Sequence, residues 1–155
     1  MEVSIVLENT ARIFATQLVH FVVTKHYTNW IPEALFEDYV FLEFMQKEIV
    51  KICQLNSFPF WWEFCQSFAG KEKTAETFEE FCSCMSVIIQ HQEVNTERFL
   101  NYAGKLAVFS SYIYTDYPDA PNIAASHITY ILVTRYPYLL RKKPFENDQC
   151  LNRNN

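Results

Sequence analysis

Gly104 and Lys105 are the residues whose types and spacing say most about chemistry. Between Phe99 and Thr115 (FLNYAGKLAVFSSYIYT) Lys105 is the single formally charged residue, and Gly104, one of only two glycines in 155 residues, stands beside it. Glycine inside a helix costs about 0.5–1 kcal/mol relative to alanine. A chain this sparing of glycine therefore has a use for this one. It lets another backbone come close, and the neighbouring cation then sets the charge register of whatever approaches. That is the chemistry of binding, not of bond-making. The sequence holds no glycine-rich phosphate loop, no Gly-x-Ser-x-Gly elbow and no His-Glu-x-x-His helix. His20, His26, His91 and His127 are spread along the chain with no evident carboxylate or cysteine partner. Cys82-x-Cys84 with His91 lacks the second close pair that would complete a zinc set. The expectation is a protein that is not an enzyme and takes no metal or cofactor.

Composition frames what must position that pair. At this length one domain with a real core is expected. Half of the residues are hydrophobic and 17% are aromatic, which argues against disorder. A net charge of −5 removes the basic face that nucleic acid requires. Five scattered cysteines (Cys53, Cys65, Cys82, Cys84 and Cys150) do not look like a secreted disulfide framework. No basic start leads into an apolar signal segment, and no uncharged apolar run reaches the ~18 residues of a membrane span. The reading is a soluble protein of a reducing compartment such as the cytoplasm, without a membrane anchor.

Apolar periodicity predicts helices throughout. Val3, Leu7, Ala11, Phe14, Leu18 and Phe21 recur at steps of four and three, one face of a first helix. Its end, His20 to Tyr27, is rich in β-branched residues, so a strand is the alternative there. Pro32 and Glu33 mark a second start after a loop of about five residues. Leu35, Tyr39, Leu42, Met45, Ile49 and Ile52 then form one stripe, widened by Phe36, Val40 and Phe44. Ser57 and Pro59 end that helix before a short aromatic segment, Phe60 to Phe68, and Gly70-Lys71 reads as a turn. Thr74 or Thr77 caps the next helix, which carries Phe78, Phe81, Met85 and Ile88, and Asn95 caps the one that carries Gly104. That helix is apolar all round, as is the following one from Asn122 to Tyr136, so both are expected to be buried on all sides. The fold class is all-α: about seven helices, two of them central, in one domain over residues 1–145 with a polar tail over 146–155.

Two segments carry a resemblance. Gly104-Lys105-Leu106-Ala107-Val108-Phe109 resembles the Gly-Arg-Ile-Val-Ala-Phe core of the first homology motif of the Bcl-2 family of apoptosis regulators. Asn101-Tyr102 is similar to the Asn-Trp that precedes that core, with Ala103 as an extra residue. Pro137-Tyr138-Leu139-Leu140-Arg141-Lys142-Lys143-Pro144-Phe145 aligns without gaps on the family's second motif, Pro-Trp-Ile-Gln-Glu-Asn-Gly-Gly-Trp. Both tryptophans become other aromatics, and Lys-Lys-Pro replaces Asn-Gly-Gly. The short first loop and the eroded motifs look more like a virus-encoded pro-survival member than a cellular one. In the family an arginine at the Lys105 position pairs with an aspartate of the bound helix. Lysine keeps the charge and loses the planar fork.

The resemblance implies a Bcl-2-like bundle that blocks apoptosis by sequestering the amphipathic death-motif helix of pro-apoptotic relatives in a hydrophobic groove. The groove walls would come from Val40, Phe44 and Met45 of the second helix and from Met85 and Ile88 of the fourth. The central helix would add Asn101, Tyr102, Gly104, Lys105, Val108 and Tyr112. The implied location is the host cytoplasm, peripheral at mitochondria through such partners. Plainer readings stand beside these: Gly104 packs two core helices together, Lys105 snorkels from a helix end, and the wall residues are simply core. The rival functions are a Bcl-2-fold inhibitor of immune-signalling adaptors and a homodimerising scaffold, neither of which uses the groove.

Overall fold

The apolar periods become helices. The computed structural model describes residues 2–26, 28–32, 40–41 and 43–140. These form α1 (Glu2–Thr24), α2 (Glu43–Leu55), α3 (Ser57–Ser67), α4 (Ala75–Gln90), α5 (Thr96–Ile113) and α6 (Ala120–Arg135), followed by a 3-10 turn, Pro137–Leu140. No strand occurs among the described residues, so the class is all-α. None of these helices is long and apolar enough to cross a membrane.

α5 is the centre, in contact with each of the other five α-helices. Its entry is fixed locally, because the Asn95 side chain accepts the Arg98 backbone N–H at 2.9 Å. Thr74 and Thr77 do the same for α4, each side chain accepting the other's backbone N–H at 3.2 and 3.0 Å. α1 stays helical through its β-branched end, because Leu18, Val19, Val22 and Val23 continue the buried stripe that begins at Ala11 and Phe14. Tertiary burial outweighs the strand preference there.

Two expectations need correction. The single stripe from Leu35 to Ile52 is interrupted: Val40 and Phe41 are not helical, and α2 begins only at Glu43. The reason lies on α1. Gln17, itself buried, accepts the backbone N–H groups of both Val40 and Phe41, at 2.8 and 3.0 Å. Phe41 is thereby fully buried against Phe14 and Phe21, with ring centroids 5.4 and 5.8 Å away. Leu35, Phe36, Tyr39 and Leu42 lie outside the described residues, as do Arg141 to Phe145 and the 146–155 tail. The second correction concerns α6, which is not buried all round. Asn122, Ser126, Tyr130 and Thr134, at steps of four, form an exposed row.

The position of Gly104 is set by α2. A Cβ built there would lie 3.3 Å from Cys53 Sγ and 3.4 Å from Ile49 Cγ1. Glycine thus lets α2 settle directly on α5, the plainer of the two uses open in the sequence. The consequence is graded. Gly104→Ala trades a contact a few tenths of an ångström too close against about 1 kcal/mol of helix propensity, so urea denaturation should show little net change. Gly104→Val has no such offset and should cost about 1–3 kcal/mol as overpacking.

Candidate functional site

Eleven residues of α5 are buried, and three of its five half-buried residues lie on one ridge. Asn101, Lys105 and Tyr112, with exposed Arg98 leading them, follow at spacings of three, four and seven, which places them along one line of the helix. Facing this ridge, α4 supplies Met85, Ile88 and Ile89, and the turn after it supplies Gln92. Together with Arg98, Asn101, Tyr102 and Lys105 they line a surface depression of about 220 Å³. Its lining mixes apolar and polar side chains, and two cations stand on the α5 side. Arg98 is tied down by donating to the Glu93 carbonyl at 3.1 Å.

The far end of the ridge lies under α3. Phe60 and Phe64 point inward, with Phe64 4.9 Å from the Tyr112 ring and 5.3 Å from Phe109. Trp61 meets Tyr112 edge-on at 5.0 Å while remaining 48% exposed. Lys105 Nζ forms an ion pair of 2.9 Å with Glu63 Oε1 and lies 5.8 Å from the Phe60 ring centroid. The lone cation of the apolar segment therefore has a partner, from a helix that adjoins α5 only in space.

Of the residues read as groove walls, Met85, Ile88, Asn101, Tyr102 and Lys105 come together in this depression. Tyr112 continues the same ridge beneath α3. Met45 and Val108 are core residues, 5% and 2% exposed. Gly104 is covered by α2. Val40 is half-buried against the core, and Phe44 is exposed in the first turn of α2. Arg98, Gln92 and Ile89 were not singled out from the sequence. The Arg98-Asn101-Lys105 spacing was legible there, whereas Glu63 had no local signal.

The histidines also need a correction, since His127 does have a carboxylate. Its Nε2 lies 2.6 Å from Glu79 Oε2 and its Nδ1 lies 3.3 Å from Ser86 Oγ, which is in turn 2.8 Å from Tyr102 OH. This chain links α4, α5 and α6 and anchors the tyrosine at the floor of the depression. Ser86 is buried in the interior of α4, where the backbone N–H groups are spent on the helix, so none is aimed at its hydroxyl. The grouping acts as a strut. Burial raises the Tyr102 phenol well above its ordinary range, even though the Ser86 hydrogen bond works the other way.

Cys82 and Cys84 are two apart on α4, so one is buried and the other exposed, and they cannot face a common ion. Among the described residues no group of three or more His, Cys, Asp or Glu could hold a metal. Burial pushes the Cys53 thiol up to about 11, and burial with the nearby Glu79 charge raises Cys82. The thiolate is the nucleophile. At pH 9 only about one part in a hundred of Cys53 is thiolate. Iodoacetamide at pH 8, read by peptide mass spectrometry, should modify Cys65 and Cys84 in the native protein and leave Cys53 and Cys82 unmodified until urea unfolds it.

No protein-family model matches the chain, and neither a curated protein nor a solved structure does.

Proposed function

We propose that this protein is a pro-survival member of the Bcl-2 family, of viral type, which sequesters the amphipathic death-motif helix of pro-apoptotic relatives and catalyses no reaction. The observation that carries the proposal is the ridge of α5. Most of the helix is buried, and Asn101 and Lys105 of the first motif and Tyr112 beyond it keep partial exposure along one line. Asn101 and Lys105 border a depression whose other wall holds Met85, Ile88 and Ile89 of α4. The second motif segment supports the same reading. Tyr136, just before it, packs on Phe99 at 5.1 Å and Tyr138 OH is 2.9 Å from Thr96 Oγ1, so the start of this segment lies against the first turn of α5, ahead of the first motif.

A ligand helix brings apolar anchors at i, i+3/4 and i+7 to Met85, Ile88 and Tyr102, and its aspartate to Lys105. Apolar burial supplies most of the affinity, and the ion pair sets register. Because Gly104 lies beneath α2, a ligand's small residue reaches it only if α2 shifts, whereas Lys105 needs no such movement. Sequestration works by mass action in the host cytoplasm, next to mitochondria where the ligands reside.

Titration with a panel of synthetic death-motif helices by calorimetry tests this. At least one peptide should bind with micromolar or tighter affinity. Lys105→Arg should preserve or tighten binding, since the guanidinium restores the bidentate fork. Lys105→Glu should weaken it about tenfold or more, a loss of at least about 1.4 kcal/mol. Silence from every peptide, or an unchanged affinity in Lys105→Glu, would overturn the proposal.

A further inference from the structure

We infer that α3 is a self-docked strap whose Glu63 carboxylate holds Lys105 in the free protein, and that a bound helix delivers its own carboxylate by exchanging with Glu63. The inference rests on the groove reading above and adds a means of regulating it.

α3 has the form of a ligand. Phe60 and Phe64 are buried anchors one turn apart, with Glu63 between them on the same side reaching the cation. Phe68, just past the helix, adds a third anchor against Phe81 at 5.9 Å. The outward face has no cover among the described residues, with Phe58 69% and Trp62 56% exposed. The helix has eleven residues and its Asn56 N-cap makes no side-chain cap hydrogen bond. It is followed by a turn in which Gly70 takes a φ of +72°. A helix below ~12–15 residues is marginal on its own, so tertiary contacts hold α3 in place. Those contacts include the phenylalanine anchors, Trp61 against Tyr112 and the Glu63–Lys105 pair.

The pair is half-buried, with side-chain exposures of 34% for Glu63 and 19% for Lys105. Partial cover strengthens it over a surface pair, but a second carboxylate brought to the same ammonium would also face the charge of Glu63. Like charges held this close repel, so one carboxylate leaves as the other arrives. Lysine suits such an exchange. Its ammonium is a point charge on a flexible stem, and it can turn between acceptors without breaking a two-bond fork. The arginine-to-lysine departure seen in the sequence then belongs to the same device as Glu63.

The test compares the full chain with Glu63→Gln in two measurements. The first is amide hydrogen exchange over residues 57–67 without peptide. The second is calorimetric affinity for a death-motif peptide and for the same peptide with its aspartate replaced by asparagine. The inference predicts about two- to fivefold faster α3 exchange in Glu63→Gln. It predicts about two- to fivefold tighter binding of the aspartate peptide, with a smaller gain for the asparagine peptide. Unchanged α3 exchange, or an equal gain for both peptides, would overturn the strap while leaving groove binding intact. Faster exchange with no binding of either peptide to either protein would instead overturn the groove reading, and the exchange of carboxylates with it.

Discussion

The structure depends on enclosing α5, a helix so apolar that it must be covered almost completely, while one lysine on it stays solvated or paired. Five helices share the task. Each closes a different side of α5, and the close seat of α2 is available only because position 104 has no side chain. Asn101, Lys105 and Tyr112 lie along one line of it that stays partly open. The polar stripe of α5 is in this sense the remainder after core packing is satisfied.

Electrostatics and aromatic packing divide the work at this surface. Phe64, Phe68, Phe81, Phe109 and Tyr112 form a continuous ring cluster that joins α3 and α4 to α5. It contributes through buried area and edge geometry, with no demand for charge. The Glu63–Lys105 pair adds little area, but it decides which way α3 is held along the ridge. On the opposite side of α4, the Tyr102–Ser86–His127–Glu79 chain performs the same service with neutral hydrogen bonds and one histidine-carboxylate contact. Three helices are thereby locked by polar groups whose positions were dictated by apolar packing.

Much of this was legible in the chain. The caps at Thr74 and Asn95 read correctly because capping is a local exchange of hydrogen bonds within three residues. The all-α class followed from stripes at Ala11-Phe14-Leu18 and Met45-Ile49-Ile52, whose period is set by the helix itself. What escaped the sequence was non-local. Gln17 stops α2 from extending back through Phe41, and no pattern around Phe41 reports a side chain on α1. Glu63 and Glu79 became partners of Lys105 and His127 only once α3, α4 and α6 were docked. Gly104 announced a close approach without saying whose. The row Asn122-Ser126-Tyr130-Thr134 was hidden by its own composition, since serine, threonine and tyrosine among many apolar residues do not stand out as a solvent face.

The proposed seat of an amphipathic ligand helix is the α5 ridge, with Lys105 at its middle. The most direct measurement is paramagnetic relaxation by NMR, with a nitroxide spin label on a bound death-motif peptide. Broadening should centre on Met85, Ile88, Asn101 and Lys105 and extend to Trp61 of α3. Broadening centred instead on the α6 row around Ser126 and Tyr130, with the α5 ridge unaffected, would contradict it.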